Sequence, residues 1–233
     1  MGEAILFGRG IPVLYDPVFE NNSWEKIIAY CQRGSVPEEW KVGDQKAMTI
    51  NGTDYLIDII GKDHDDYADG SGKAPLTFQM HDIYETEYPW SSTRNSTAGG
   101  WSESVIRTAT LPTILALMPI EVQTAIREVS KQADSGAGKT PIVTTNDKLF
   151  FLSLQEVLSY SSVEWDAGVQ YEYYKTKGRL LKYKLDGTKG VWWLRTTAAN
   201  NSGYGWAYVC NTQGIYTYTF AGNASGIAPA FCF

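Results

Sequence analysis

Charge is missing where a chain of this composition should carry it: from Thr196 to Phe233 there is no Asp, Glu, Lys, Arg or His. At the 20% charged content of the whole chain, roughly eight such residues belong in that stretch, so ordinary surface composition does not account for it. Histidine is scarce throughout, with only His64 and His81, and there is no HExxH, no GxSxG and no evident Cys–His pair. The zinc-protease, serine-hydrolase and thiol-nucleophile chemistries therefore have no sequence footing. The three cysteines, Cys31, Cys210 and Cys232, are odd in number and form no CxxC, so no disulfide framework is implied. Buried reduced thiols are expected, with a Cys210 to Cys232 bridge as the alternative. No apolar run is long enough to span a bilayer, so no membrane insertion is expected. A net charge of -6 and a pI near 5.0 give no basic field, so nucleic acid is not an expected partner. The opening MGEAILFGRG lacks a basic stretch followed by an apolar one, and no export or lipid signal is expected from it.

What is present is enough apolar material, 43% over 233 residues, for one sizeable core and a single domain spanning 1–233. Trp24, Ile27, Ile28 and Cys31 fall at helical spacing after Ser23, and Gly34 with Pro37 closes that helix. Asn51-Gly52 between Ala47 to Ile50 and Tyr55 to Ile60 predicts a tight hairpin. Leu76 to Met80 reads as a strand, and Glu85 to Gly100 as a polar surface loop. Trp101 to Arg107, Leu111 to Leu117 and Ile120 to Val129 read as three short helices, and Ser153 with Glu156 has capping-box spacing for another. From Gly190 the pattern changes to strands at Val191 to Arg195, Tyr204 to Cys210, Ile215 to Phe220 and Ile227 to Phe233. The expected class is α+β, with helices in the first two thirds and a strand-rich C-terminal third.

The uncharged segment is not simply core, because Asn200, Asn201, Ser202, Asn211, Gln213, Asn223 and Ser225 are costly to bury without partners. Alternation puts Tyr204, Trp206, Tyr208 and Cys210 on one face against Gly203, Gly205, Ala207 and Val209, and sets Tyr216, Tyr218 and Phe220 apart from Ile215, Thr217 and Thr219. Tyr and Trp among Ser, Gly and Asn is the vocabulary of antibody-like recognition surfaces. The competing reading makes the aromatic face core.

Trp192-Trp193-Leu194-Arg195, the Tyr/Ser/Asn-rich stretch and the closing Gly226-Ile227-Ala228-Pro229-Ala230-Phe231 resemble bacterial and phage proteins ending in WWLR and G(V/I)xPAF patterns. Ser23-Trp24-Glu25-Lys26-Ile27-Ile28, Trp40 to Asp44, His64-Asp65-Asp66 and Leu76-Thr77-Phe78-Gln79 look like tail-associated members from phages of Gram-positive gut bacteria. The ending is also similar to the variable proteins of diversity-generating retroelements. That resemblance implies a C-type-lectin-like fold and a non-enzymatic display protein that binds a ligand or receptor, with a variable segment at about 196–226. It implies a bacterial surface ligand, protein or glycan, alongside tail or particle components, and a place in the virion or, before assembly, the cytoplasm. The displayed, ligand-binding residues would be Asn200, Asn201, Ser202, Tyr204, Trp206, Tyr208, Tyr216, Tyr218, Asn223, Ala224 and Ser225, although Trp206 does not arise from an Asn codon by adenine change alone. Trp192, Trp193, Arg195, Gly214, Gly226, Pro229 and Phe231 would be scaffold. The alternatives are a structural tail or decoration protein whose aromatic segment packs on a partner subunit, and an enzyme of formylglycine-generating type, whose paired catalytic cysteines have no counterpart here. Oligomeric state is left open.

Two motifs point elsewhere. Ala133 to Thr140 fits a relaxed phosphate-loop pattern with Lys139, but it is expected to follow a helix and precede a strand, the reverse of a phosphate cradle. Asp63, His64, Asp65, Asp66 and Asp69 offer hard ligands without EF-hand spacing, so a solvated acidic loop is expected and neither a metal nor a cofactor is called for.

Overall fold

A computed structural model describes residues 4–6, 12–92, 96–159, 166–176, 178, 180–199 and 205–233. An N-terminal pair, β1 (Ala4–Leu6) with β2 (Pro12–Leu14), precedes helix α1 (Trp24–Gln32). Ser23 caps α1 by accepting from the Lys26 N–H, and Trp24, Ile27, Ile28 and Cys31 face the core, as their spacing requires. Asn51 and Gly52, at φ 51° and 79°, then turn β3 (Gln45–Ile50) back into β4 (Thr53–Lys62). Both positive φ angles are what a two-residue hairpin loop demands.

The main sheet is antiparallel, in the order β3, β4, β5 (Leu76–Met80), β16 (Ala230–Cys232), β9 (Leu149–Phe150). The last strand of the chain therefore sits between β5 and β9, with Phe231 opposite Phe78 and Cys232 opposite Thr77. Phe78 stacks on Phe231 at 5.3 Å between ring centres, and Trp24 and Phe233 close around the same ring. One core cluster runs from Phe19 to Phe233, so early and late segments are packed together.

Between β5 and the C-terminal strands lie β6 (Tyr88–Pro89), α2 (Gly100–Glu103), one π-helical turn (Ile106–Thr110), α3 (Leu111–Leu117) and α4 (Ile120–Ala125). Then come the hairpin β7 (Val129–Asp134) and β8 (Ile142–Asp147), α5 (Leu154–Leu158), α6 (Glu172–Thr176) and the small pair β10 (Lys182–Tyr183) and β11 (Lys189–Gly190). A second sheet has the order β12 (Trp192–Ala198), β13 (Trp206–Cys210), β14 (Tyr216–Phe220), and β15 (Ala224–Ser225) pairs with β6.

The architecture is mixed α and β, and its layout departs from the expected helices-then-strands order, because three of the five strands of the main sheet are built before residue 81. The predicted helix Ile120 to Val129 stops at Ala125, and Val129 opens β7. Val129 and Tyr67 form an isolated bridge, and the Ala68 N–H donates to Glu128 O, so tertiary pairing overrides the local preference here. Trp101 to Arg107 is not one helix but α2 followed by the start of the π-helical turn. Glu85 to Gly100 is more than a surface loop: it holds β6 and the buried Trp90, whose Nε1 donates to Leu194 O at 3.1 Å. The loop around Lys139 joins two strands, not a helix and a strand, and so also fails to open a helix as a phosphate loop must. Among the described residues, no helix is long and apolar enough to cross a membrane.

Candidate functional site

The sheet β12–β14 has unlike faces. Ala207 and Val209 point inward and are buried, while Trp206, Tyr208 and Tyr218 stand on the opposite, outer face. Register places Trp206 opposite Phe220 and Tyr208 opposite Tyr218. The rings touch across the strands: Trp206 lies 4.5 Å from Tyr218 and 5.4 Å from Phe220, and Tyr208 lies 6.1 Å from Tyr216 and 6.2 Å from Tyr218, centre to centre. Edge-to-face and tilted pairs at these separations hold their rotamers, which leaves a preformed aromatic surface at little entropic cost. Tyr218 is 49% exposed. Trp206 Nε1 is buried with no hydrogen-bond partner among the described residues, a donor whose desolvation is uncompensated.

The inward approach explains why this face is turned out. A Cβ on Gly205 would lie 2.2 Å from the Ser96 backbone, so β13 enters against another segment with no room for a side chain. Cys210 breaks the alternation, being fully buried at the end of β13. All three cysteines are free and buried.

Of the sequence-derived candidates, the sheet brings Trp206, Tyr208, Tyr216 and Tyr218 together, with Asn223 and the exposed Ala224 in the turn that follows. Asn223 Nδ2 donates to Thr219 Oγ1 at 2.9 Å. Ser225 is a correction: it is only 5% exposed, pairing with Tyr88 in β15, and cannot be displayed. Asn200, Asn201, Ser202 and Tyr204 lie outside the described residues. Phe220 joins the ring cluster, and Ile215 is 57% exposed at its turn; both are legible from alternation and turn position, though the resemblance does not single them out.

Beneath this sheet lies a charged centre. Arg195 meets Glu156 in a bidentate pair, Nη1 to Oε2 at 2.5 Å and Nη2 to Oε1 at 2.8 Å, and also donates to Phe151 O and Gln132 O. Lys131 Nζ spends its protons on Asp65 Oδ1 (2.5 Å), Glu156 Oε1 (3.0 Å) and the Tyr171 hydroxyl (3.0 Å). Asp65 takes further bonds from Thr77 and Tyr171. Burial raises the Glu156 carboxyl, but Arg195 and Lys131 outweigh it and hold it at about 2. Burial likewise opposes the ionised Asp65, and Lys131 wins, keeping its pKa below the usual range. The loop from Asp63 to Asp69 is solvated at Asp63, Asp66 and Asp69, as expected, but not at Asp65. Asp65 is 4% exposed at the centre of this network, while Asp66 and Asp69 pair with Lys73 and Arg127.

A cleft of about 300 Å³ opens above the network, lined by His64, Lys73, Gln132, Thr144 and Val169 among others. His64 stacks on Tyr171 at 3.9 Å, and burial pushes its imidazole pKa down. Among the described residues, no group of three or more His, Cys, Asp and Glu is arranged to hold a metal.

Trp192, Trp193, Arg195, Gly226, Pro229 and Phe231 are buried. Trp193 Nε1 donates to Tyr88 O at 2.8 Å, and its backbone N–H to Gly226 O at 3.0 Å, which ties the WWLR strand to the closing segment.

Residues 77–233, more than half of the chain, match the family described as a domain of unknown function, DUF6273, and the chain belongs to that family. The match covers the charged centre apart from Asp65, and all of the outer aromatic face. Comparison with curated proteins and with solved structures found no match.

Proposed function

We propose that this chain is a non-enzymatic binding protein that presents the outer face of β13 and β14 to a ligand. The observation that carries this reading is a preformed, uncharged patch of Trp206, Tyr208, Tyr216, Tyr218 and Phe220 on the outer side of the sheet, its Tyr208 and Tyr216 rings resting against the core edge and Tyr218 exposed, with a desolvated indole N–H at one end. Desolvated donors and clustered aromatic rings are the features that binding hot spots share. The charged centre supports the non-enzymatic part, since the Lys131 protons and both Glu156 oxygens are engaged by neighbouring side chains, leaving a structural brace rather than a free acid, base or nucleophile.

The resemblance of the WWLR and GIAPAF segments extends the proposal to a C-type-lectin-like scaffold at a phage or prophage tail tip. Its ligand would be a bacterial surface protein or glycan, and its segment 196–226 would be diversified by a retroelement. A partition of this kind suits such a device: buried Trp193, Arg195 and Phe231 hold the frame, while the exposed Tyr218 and Ala224 stand where substitution disturbs little packing.

The test is binding of the purified chain to a panel of Gram-positive gut bacteria, together with the sequences of sibling genes. Binding should concentrate on some hosts and fall at least about tenfold in Trp206→Ala and Tyr218→Ala, a loss of the size single hot-spot residues produce. Adenine-patterned differences should cluster at Tyr208, Tyr216, Tyr218 and Ala224. Host binding untouched by both substitutions, or an invariant segment in sibling genes, would remove the proposal.

A further inference from the structure

The two edges of the β12–β14 sheet are treated differently. At the β12 edge the backbone is already engaged: Trp193 N–H donates to Gly226 O at 3.0 Å, and Arg195 N–H to Leu152 O at 2.9 Å. At the other edge β14 is the last strand, and no described strand pairs with its outer side. The Ala221 N–H donates to Gly205 O, and Ile215 O accepts from the Asn211 N–H, so residues of that parity face β13. Strand geometry then turns the N–H and C=O of Tyr218, at the strand's centre, toward the open edge.

Proteins blunt such edges with lysines, prolines, inward charges or bulges. β14 has none of these: Tyr216-Thr217-Tyr218-Thr219-Phe220 is uncharged, free of proline and paired with β13 in unbroken register. The edge of the main sheet is protected by contrast, since β3 carries Lys46. The β14 sequence is also a near palindrome. Laid antiparallel on a copy of itself about Tyr218, it sets Tyr218 against Tyr218, Thr217 against Thr219 and Tyr216 against Phe220. Threonine pairs and aromatic pairs are favourable cross-strand neighbours, and a two-fold axis through Tyr218 brings no like charges together.

We infer that β14 is an interaction edge that pairs antiparallel with β14 of a second copy of this chain, centred on Tyr218. The outward N–H and C=O of the two Tyr218 residues exchange hydrogen bonds, and the two sheets join into one of six strands. Pairing uses the edge and leaves the aromatic faces open, so a dimer carries two such faces side by side and gains avidity on a repetitive surface. One five-residue strand pair is a small contact, so the dimer is weak and concentration-dependent. The inference goes beyond the proposed binding role and stands without it.

Sedimentation equilibrium over rising concentration tests the pairing. The wild-type chain should shift reversibly from monomer to dimer. Tyr218→Lys and Tyr218→Glu should each stay monomeric with an unchanged circular dichroism spectrum, and an equimolar mixture of the two should recover the dimer. A second measurement leaves the strand uncharged: Tyr218→Cys should oxidise to a disulfide-linked dimer, because the Cα separation of about 5.5 Å in a hydrogen-bonded antiparallel pair suits a disulfide. The native thiols are buried and silent, and Val169→Cys, 67% exposed over the His64 cleft, should not cross-link. A wild-type chain that stays monomeric up to about 1 mM, where association is worth only about 4 kcal/mol, overturns the inference. So does a Tyr218→Lys dimer as stable as wild type, or a Tyr218→Cys chain that cross-links no faster than Val169→Cys.

Discussion

Around Glu156, the charged side chains of Asp65, Lys131 and Arg195 lie buried together, whereas the sheet directly after Arg195 carries no charge and turns its largest rings outward. The two regions meet at β12, where Arg195 anchors one and Thr196 begins the other. In the first, the donors are met by carboxylate, carbonyl or hydroxyl acceptors, so each side chain depends on the rest. In the second, the rings meet across the strands by stacking and edge contacts rather than by charge pairing, so changing one strands no buried ion. Removing one partner from a buried network leaves an uncompensated charge, whereas trimming an exposed ring of the outer face leaves none.

The largest expected effect comes from breaking the network. Glu156→Ala leaves Arg195 and Lys131 as buried cations short of a partner and should cost about 3 to 5 kcal/mol, read by urea denaturation. Trp193→Ala, which empties a fully buried site and strands the Tyr88 carbonyl, should cost a similar amount, about 3 to 5 kcal/mol.

A second expectation concerns pH at the junction. Asp166 accepts from Thr196 Oγ1, the Gln155 N–H and the Ala167 N–H, yet burial lifts its pKa to about 6, against the pull of Arg195. A carboxyl raised on folding contributes stability that is complete below its unfolded pKa and lost as pH climbs through the folded one. The wild-type chain should therefore lose about 2 to 3 kcal/mol from this group between about pH 4 and pH 6. Glu156 runs the other way, its contribution being lost as pH falls from about 4.5 toward 2. Asp166→Asn should flatten the stability profile between pH 4 and 6 and leave the acid limb below pH 4 in place. A wild-type profile already flat across that window would refute the assignment.

The contrast sharpens with a smaller effect. Tyr218→Ser and Asn223→Ala combined should leave the melting temperature within a few degrees, since surface substitutions cost about 0.5 kcal/mol or less each, while host binding disappears. Unfolding as severe as that of Trp193→Ala would mean the outer rings act as core after all. The smallest effect belongs to Lys139→Ala, in the β7–β8 loop: neither stability nor any nucleotide affinity should change, as isothermal titration with ATP would show.

Legibility followed sequence distance. The Ser23 cap, the Asn51-Gly52 turn and the Ser153/Glu156 capping box each join residues within four positions, and all three form as their spacing predicts. The charged centre joins Asp65 to Lys131, Asp65 to Tyr171 and Glu156 to Arg195 across 66, 106 and 39 positions, and no local pattern announces such partners. For the same reason Asp65 reads as one more acid in a polar loop, Val129 reads as helix, and Glu172 to Thr176 shows no helix signal strong enough to single out. Ser225 passes for a displayed residue because composition records only that it is small and polar, not that β6 lies beside it.

By itself, the order of residues determined the exclusion of charge after Arg195, the division of β13 into a large face and a small one, and the turns that separate the last strands. Alternation has a period of two and no direction, so it left open which face meets water. That was decided by packing: Ser96 presses where a Gly205 side chain would be, and Ala207 and Val209 fit against the core as Trp206 and Tyr208 would not, so the rings were turned outward.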